Sequence, residues 1–487
     1  MPSGAAPIIV WFRQDLRLSD NPALSAAVVT GRPLVAVYIL DDENSEKWRP
    51  GGASRWWLHH SLTSLMADLA RLGLTLTLRR GDPCQVIPAL LGEAGGDAVF
   101  WNRCLEPYAV ARDGDLKVAL KQAGIDARSF NAALLREPWE VKTKEGNAFR
   151  VYSPFWRACL ALGDPPAPLS APTIVAPGPS LAGCRLEELR LLPNSPDWAG
   201  GLRAEWQPGE EGARTRLSRF LDEALHGYKS GRDRPDRGWT SRLSPHLHFG
   251  EIGPRQIWHA TRNAVAASGR ADSDAEKFLG ELGWREFSYH LLFRYPDLPA
   301  HPLRREFEAF PWREDGAALR AWQKGKTGYP VVDAGMRELW TTGWMHNRVR
   351  MVVASFLVKH LLIPWQAGEA WFWDTLVDAD LAANAASWQW VAGCGADAAP
   401  YFRIFNPVIQ GQKFDPEGDY VRRWVPELTA IPTKYIHQPW SAPELVLRNA
   451  GITLGATYPC PIVEHSFARR RALEAFAGLS GAADAAD

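Results

Sequence analysis

The hydrophobic pattern of this chain changes once along its length. Over the first 130 residues, short apolar runs at 8–12, 34–39, 74–78, 98–101 and 127–130 alternate with stretches of helical period at 22–29, 53–72 and 109–122. Continuous apolar runs suit strands buried on both faces, and strands separated by helices require right-handed crossovers and a parallel sheet. The pattern predicts a doubly wound, five-stranded parallel α/β domain over 7–131. From about residue 206 the helical period takes over. At 345–362, apolar residues at 345, 349, 352, 353, 356 and 357 form one stripe bounded by Gly343 and Pro364. An all-helical domain is expected over 206–487. Between the two, eight prolines within 164–197 deny backbone donors and break helices, which predicts a long interdomain linker over 132–205.

Composition narrows the class. At 487 residues, with 46% hydrophobic and 23% charged side chains, the chain has the make-up of a folded globular protein of two or three domains. The 55 basic and 55 acidic residues balance, and they balance on either side of Glu205, so bulk charge does not advertise a nucleic-acid partner. The longest apolar stretch, 351–365, is interrupted by Lys359 and His360, and no membrane span is expected. The first residues lack the basic region of a secretory leader, and a cytoplasmic protein is expected. Six cysteines without paired spacing argue against a zinc site or a disulfide framework. The outlying number is 23 Trp, more than the 19 Phe or 11 Tyr.

A dinucleotide-binding fold carries a glycine-rich turn after its first strand. Here that place holds Phe12-Arg-Gln-Asp-Leu-Arg17, so any flavin or nicotinamide is expected elsewhere. Four later segments concentrate chemistry. The first, Tyr228 to Ser244, is a Gly- and Pro-punctuated loop ending in Thr240-Ser241-Arg-Leu-Ser244, and 212–242 holds eight basic against four acidic residues. Its hydroxyls suit a phosphate site or an ordinary helix cap. In the second, Glu281, Trp284 and Arg285 share a helix face, as a binding cluster or as a surface ion pair beside a core indole. The third, Trp344-Met-His-Asn347-Arg348-Val-Arg350-Met351, sets an amide and two guanidiniums in an apolar helix, where an anionic ligand or nearby acids must pair them. The fourth runs Asp378-Ala-Asp380-Leu-Ala-Ala-Asn384-Ala-Ala-Ser-Trp388-Gln-Trp390. Asp380 and Asn384 read as neighbours on a helix whose small residues admit a flat ligand, while the two indoles are equally core candidates. Without a third ligand at suitable spacing, no metal is expected.

These segments, with Trp11-Phe-Arg-Gln-Asp-Leu-Arg-Leu18, Lys326-Thr-Gly-Tyr-Pro330 and Ala398-Ala-Pro-Tyr-Phe-Arg-Ile-Phe-Asn-Pro407, follow the order of the photolyase/cryptochrome flavoprotein family. The chain is similar to that family over roughly residues 7–465, and most resembles the microbial photolyases that split cyclobutane pyrimidine dimers with light. The resemblance implies an N-terminal α/β domain, a connector, and a helical domain binding FAD in a U shape. Tyr228, Thr240, Ser241, Arg242, Leu243 and Ser244 match the positions on the cofactor's phosphate and ribose side. Phe278 matches a position beside the cofactor where some relatives have Trp. Arg285, Arg350, Asp378, Ala379 and Asp380 match those around the isoalloxazine and adenine, and Asn384 the amide facing the flavin N5. For the lesion pocket the matches are Glu281, Trp284, Asn347, Arg348, Met351 and Trp390, and for DNA contact Arg232, Arg403 and Gln410. Trp388, Trp365 and Trp312 match an electron-hopping chain that returns the flavin to its reduced form.

The implied reaction is electron donation from excited reduced FAD to a dimer flipped out of the duplex, ring opening, and return of the electron. Flipping is what chemistry on a base inside a duplex requires. UV-damaged DNA is the implied partner and a monomer the expected state. An antenna pigment is expected near Glu106 of Arg103-Cys-Leu-Glu-Pro-Tyr108, with 5,10-methenyltetrahydrofolate favoured and a deazaflavin not excluded. The rival reading is a signalling blue-light cryptochrome, which usually keeps FAD but loses lesion-pocket residues. A six-four photoproduct enzyme should carry two histidines where this chain has Asn347 and Met351, and a DASH-type enzyme is set aside only by overall motif likeness.

Overall fold

The apolar runs become five parallel strands, β1 (Ile8–Phe12), β2 (Leu34–Leu40), β3 (Leu76–Arg80), β4 (Ala98–Asn102) and β5 (Asp126–Phe130), ordered β3-β2-β1-β4-β5. Four helices alternate with them: α1 (Pro22–Val29), α2 (Gly52–Arg71), α3 (Pro83–Ala94) and α4 (Pro107–Gln122). Alternate strand residues point to opposite faces. Ile9, Trp11, Val35, Val37, Val99 and Trp101 pack with Ile87, Leu90 and Leu91 of α3 and Leu116 and Leu120 of α4, while α1 lies against β1, β4 and β5. β3 begins at Leu76, two residues later than the sequence pattern predicts. Leu74 is taken by the end of α2, where its N–H bonds the Leu69 carbonyl across Gly73 in the left-handed region, a glycine-dependent helix stop.

The strand order reverses between β1 and β4, the point where open α/β sheets usually seat a ligand. Here side chains of the chain itself meet at that point. The Arg13 guanidinium lies 4.5 Å over the Trp11 ring, pairs with Asp113 at 2.6 Å and donates to the Asn102 carbonyl. The Asn102 amide donates to Asp15 and Asn21 at 2.6 and 2.7 Å. That network explains in side-chain terms why the glycine-rich turn is missing. Arg17 from the same motif is buried and donates to the carbonyls of Ser19, Asp20, Ala132 and Gly250 at 2.7–3.1 Å. Saturating a buried guanidinium with carbonyls makes it a staple between distant loops. The proline-rich connector also has structure. At the start of β2 the Leu34 N–H donates to the Ala176 carbonyl at 2.9 Å and the Gly178 N–H to the Leu34 carbonyl at 2.8 Å, and the Cys184 N–H reaches the Leu78 carbonyl at 2.9 Å on the open edge of β3.

The rest of the chain is helical: α5 (Tyr152–Ala161), α6 (Glu210–Glu223), α7 (Ser244–His248), α8 (Pro254–Ser268), α9 (Ser273–Arg294), α10 (Gly316–Gln323), α11 (Pro330–Thr342), α12 (Asn347–Ser355), α13 (Trp365–Thr375), α14 (Leu381–Ala392), α15 (Pro407–Phe414), α16 (Asp419–Trp424) and α17 (His465–Ala483) are the elements used below. The architecture is α/β plus all-α. The single helix expected over 345–362 is broken. His346 caps α12, its Nδ1 accepting from the Arg348 N–H, and after Ser355 the coil widens into a π-helix, Phe356–His360, with Leu362 in the left-handed region. The apolar stripe continues through both, so periodicity alone did not reveal the change of pitch. Lys326-Thr-Gly-Tyr-Pro330 forms a latch. Asp333 on α11 accepts from the Thr327 N–H and hydroxyl at 2.6 and 2.7 Å, from the Gly328 N–H at 3.0 Å and from the Tyr458 hydroxyl at 2.8 Å. Gly328 is left-handed, and a Cβ there would strike the Cys460 backbone.

This computed structural model describes residues 5–268, 273–398 and 402–483. Residues 399–401 of the motif ending at Pro407, the first four residues and the last four of the small-residue tail lie outside the described residues. Two units organise the chain, one of Met1–His226, Ser241–Pro296 and Val377–Asp380, the other of Gly227–Thr240, Asp297–Leu376 and Leu381–Asp487. Among the described residues no helix is long and apolar enough to cross a membrane.

Candidate functional site

The first unit carries Ser241, Arg242, Leu243, Ser244, Phe278, Glu281, Trp284, Arg285, Asp378, Ala379 and Asp380. Asp380 stands immediately before α14 and not within it, which corrects the expectation that it shares a helix face with Asn384. It is buried and accepts from the Tyr289 hydroxyl at 2.5 Å. His248 Nδ1 lies 3.9 Å from its Oδ2, too far for a hydrogen bond, and has no other partner. Arg285 lies 4.9 Å over the Tyr289 ring and donates to the Ala133 carbonyl at 2.5 Å. Burial works against a charged Asp380, but His248, Arg285 and Tyr289 outweigh it and hold its carboxyl down to about 2. Asp380 is therefore an anion at any physiological pH, set among polar groups that still have hydrogen-bonding capacity.

On α9, the i, i+4 geometry pairs Glu281 with Lys277 at 3.3 Å, one turn back from the residues expected to group with it. Trp284 is half-buried, and Tyr152 of α5 stacks on it with ring centroids 3.8 Å apart and an 8° tilt. The Tyr152 hydroxyl donates to the Gly280 carbonyl at 2.6 Å, which fixes the stack. Sequence reasoning missed Tyr152, because its partner lies far along the chain and no local spacing marks it. Phe278 is buried against Phe220 at 4.4 Å. Arg242 has φ +51°, pairs with Glu205 at 2.5 Å and lies 4.8 Å over Trp206. Leu243 is buried, while Ser241 is half-buried and Ser244 exposed.

The second unit carries Tyr228, Arg232, Thr240, Trp312, Asn347, Arg348, Arg350, Met351, Trp365, Asn384, Trp388, Trp390, Arg403 and Gln410. Tyr228 is buried with Arg232 5.6 Å over its ring, and Thr240 is half-buried. Asn347, exposed, and Met351, half-buried, occupy one face of α12 at i, i+4. The anionic partner that the sequence demanded for Arg348 is Asp233, at 2.9 Å, and Arg348 also lies 4.5 Å over Phe414. Arg350 donates to the Met345 carbonyl at 2.7 Å. His346 sits among Arg232, Arg348 and Arg350; burial, with those cations adding to it and Asp233 opposing, pulls its imidazole down to about 4. Asn384 is buried and donates to the Glu369 carbonyl at 3.0 Å, leaving its second N–H and its carbonyl oxygen available. Arg403 is exposed and Gln410 half-buried.

Trp388 is 2% exposed, 5.0 Å from Phe372 and 6.3 Å from Trp322, and its indole N–H has no hydrogen-bond partner. Trp322, whose N–H bonds the Val353 carbonyl at 2.9 Å, is a neighbour that the sequence did not single out. Trp365 begins α13 and is buried; Trp312 is half-buried against Phe310 at 4.4 Å. Trp390, half-buried, donates to the Asp397 carbonyl at 3.0 Å. A Cβ on Gly368 would enter the Trp388 ring. Gly368→Ala should therefore lower the unfolding free energy by about 1–3 kcal/mol through overpacking, checked by thermal denaturation; an unchanged melting temperature would contradict the tight seating of Trp388.

The first unit offers hydroxyls at 241 and 244, the Arg285 guanidinium and the buried anionic Asp380 near His248, and the second, taken by itself, a hydroxyl at 240, the Arg350 guanidinium and the Asn384 amide; both sets are of the chemistry that binds a flavin nucleotide. The residues present fit FAD.

Residues 278–478 match the family described as FAD binding domain of DNA photolyase, and residues 8–173 the one described as DNA photolyase. The chain belongs to the photolyase/cryptochrome family and is an enzyme of its photolyase type. It is 52% identical to deoxyribodipyrimidine photo-lyase of Agrobacterium fabrum over 97% of this chain and 98% of that protein. Cryptochrome-1 of Arabidopsis thaliana is 43% identical over 97% of this chain and 70% of its own length. The crystal structure of a bacterial class III photolyase from Agrobacterium tumefaciens superposes with a TM-score of 0.95 at 51% identity, covering 99% of each chain.

Proposed function

We propose that this enzyme splits cyclobutane pyrimidine dimers in UV-damaged DNA, using light and a bound FAD. When bound, FAD in its reduced, photoexcited state supplies a reductant strong enough to open a cyclobutane ring. The chain's own residues bind and orient. Tyr228, Thr240, Ser241, Arg242, Leu243, Ser244 and Phe278 hold the nucleotide. Arg285, Arg350, Asp378, Ala379 and Asp380 would hold its ring systems, and the Asn384 amide would serve the flavin ring. Trp284 and Trp390 offer stacking surfaces that offset the cost of extruding the lesion. Glu281, Asn347, Arg348 and Met351 form the rest of that pocket, and Arg232, Arg403 and Gln410 meet phosphates. Trp388, Trp365 and Trp312 relay electrons inward.

The observation that carries the lesion choice is the pair Asn347 and Met351 on one face of α12, where a six-four enzyme requires two histidines. The test is binding and light-driven repair of duplexes containing either lesion; repair confined to the cyclobutane dimer is expected, and repair of the six-four product overturns the assignment. The likeness to Cryptochrome-1 keeps a signalling role as the second reading; a flavoprotein without lesion affinity would favour it.

For the antenna we propose the neighbourhood of Glu106, whose Oε1 accepts from Gln14 at 2.8 Å while its Oε2 is buried without a partner. A folate pigment offers the N–H donors such an oxygen lacks. The proposal extends to working boundaries of 7–131, 132–205 and 206–487, a monomeric state, and a cytoplasmic site of action, which suits six unpaired thiols.

A further inference from the structure

Lysine 359 is an anomaly of the second unit. It lies in the π-helix Phe356–His360 and is 1% exposed. A buried ammonium is costly, and a methionine would fill the same space without that cost. Burial pulls its amine down to about 7, and the titratable group facing it is the Cys394 thiol, itself pushed up to about 12 by burial. Neither group forms an ion pair with the other.

Among the described residues, the hydrogen-bond and ring partners of Lys359 lie in one short segment. Its Nζ stands 3.5 Å over the ring of Phe402 and donates to the carbonyl of Arg403 at 3.1 Å. One turn back on the same helical run, the Ser355 hydroxyl accepts from the Phe405 N–H at 3.4 Å. Phe402 is stacked on Phe476 of α17, with centroids 4.7 Å apart and an 8° tilt. The segment then enters Asn406, whose side chain caps α15 by accepting from the Val408 and Ile409 N–H groups. Arg403, exposed, thus projects from a backbone pinned on both sides by one face of the π-helix and its lead-in. π-bulges recur at functional sites, and this one brings the Lys359 amine to a backbone carbonyl.

We propose that Lys359 is a positioning residue for DNA binding, fixing the 402–405 backbone that carries Arg403. The inference rests on the photolyase reading, which makes Arg403 a DNA contact. It assigns Lys359 no contact with DNA, with FAD or with the lesion.

The test compares wild-type holoprotein with Lys359→Met, Arg403→Ala and the double variant, measuring affinity for a duplex with one thymine dimer, FAD content, saturated repair rate and hydrogen exchange of the peptide spanning 402–410. Lys359→Met should weaken binding about tenfold, the scale of one lost hydrogen bond. It should keep FAD content and saturated repair, and speed exchange in 402–410. Added to Arg403→Ala, it should cost little more, because it acts through that residue. Unchanged affinity in Lys359→Met, or a loss that simply adds to that of Arg403→Ala, would overturn the proposal. If Lys359→Met fails to fold, Ser355→Ala removes the other pin and should show the same coupling to Arg403; additive behaviour there overturns it as well. Wild-type protein that binds no dimer DNA, yet shows 402–410 loosened by Lys359→Met, would sink the photolyase reading and leave the clamp as a fold element only.

Discussion

Trp388→Phe is expected to suppress photoreduction of the oxidised holoprotein while leaving prereduced enzyme able to repair. The indole is buried between Phe372 and Trp322 and fits closely against Gly368. Phenylalanine keeps much of the packing but cannot be oxidised under the same conditions. The reaction that repairs a dimer returns its electron and draws none through Trp388, so the two activities should separate. The measurement is the rate at which blue light, with an external thiol as electron source, converts bound oxidised FAD to the reduced form; a rate equal to wild type would remove Trp388 from the relay. Trp322, 6.3 Å away, makes the result informative in a second way, since residual photoreduction in Trp388→Phe that disappears in a Trp322→Phe background would identify a bypass.

Asp380→Asn should be the most damaging single polar change in the first unit. Removing the charge leaves Arg285 and the Tyr289 hydroxyl arranged around a neutral amide, and breaking a buried charge cluster costs about 3–5 kcal/mol. FAD content after purification should fall sharply together with the melting temperature. The acid limb of stability provides an independent check. Asp380 has a folded value depressed to about 2 against about 3.9 for a free aspartate. Its contribution is therefore complete above about pH 4 and is lost as pH falls from there toward 2, on the order of 2 kcal/mol. The variant should lose that part of the pH dependence. Wild-type FAD content and an unchanged acid limb in Asp380→Asn would show that the cluster does not carry the cofactor or the fold.

The sequence was most readable where the physics is local. β1 and α1 fall on the predicted residues because a buried strand is a continuous apolar run and α1 is punctuated by Asn21 and Pro22, an N-cap that accepts from the Leu24 N–H followed by proline in the first turn. The missing glycine-rich turn was visible, but not its replacement, since the pairing of Arg13 with Asp113 spans a hundred residues. The same limit applies to the candidate site. Motif order named Asp380, Arg285 and Trp284, yet the hydroxyl of Tyr289 on Asp380 and the ring of Tyr152 on Trp284 come from tertiary packing that no spacing encodes. Lys359 was legible only as a flaw in an apolar run. In the structure it lies in the π-helix, where its amine donates to the Arg403 carbonyl, a partner that no local spacing marks.

The most direct test of the whole account is to load the protein with FAD, reduce it, add a duplex carrying one thymine dimer, and count restored thymines in light and in darkness. Restoration that requires light, saturates with DNA and leaves the flavin in its starting reduced form is the predicted result. Restoration in darkness, or none under light although FAD is bound, would contradict it.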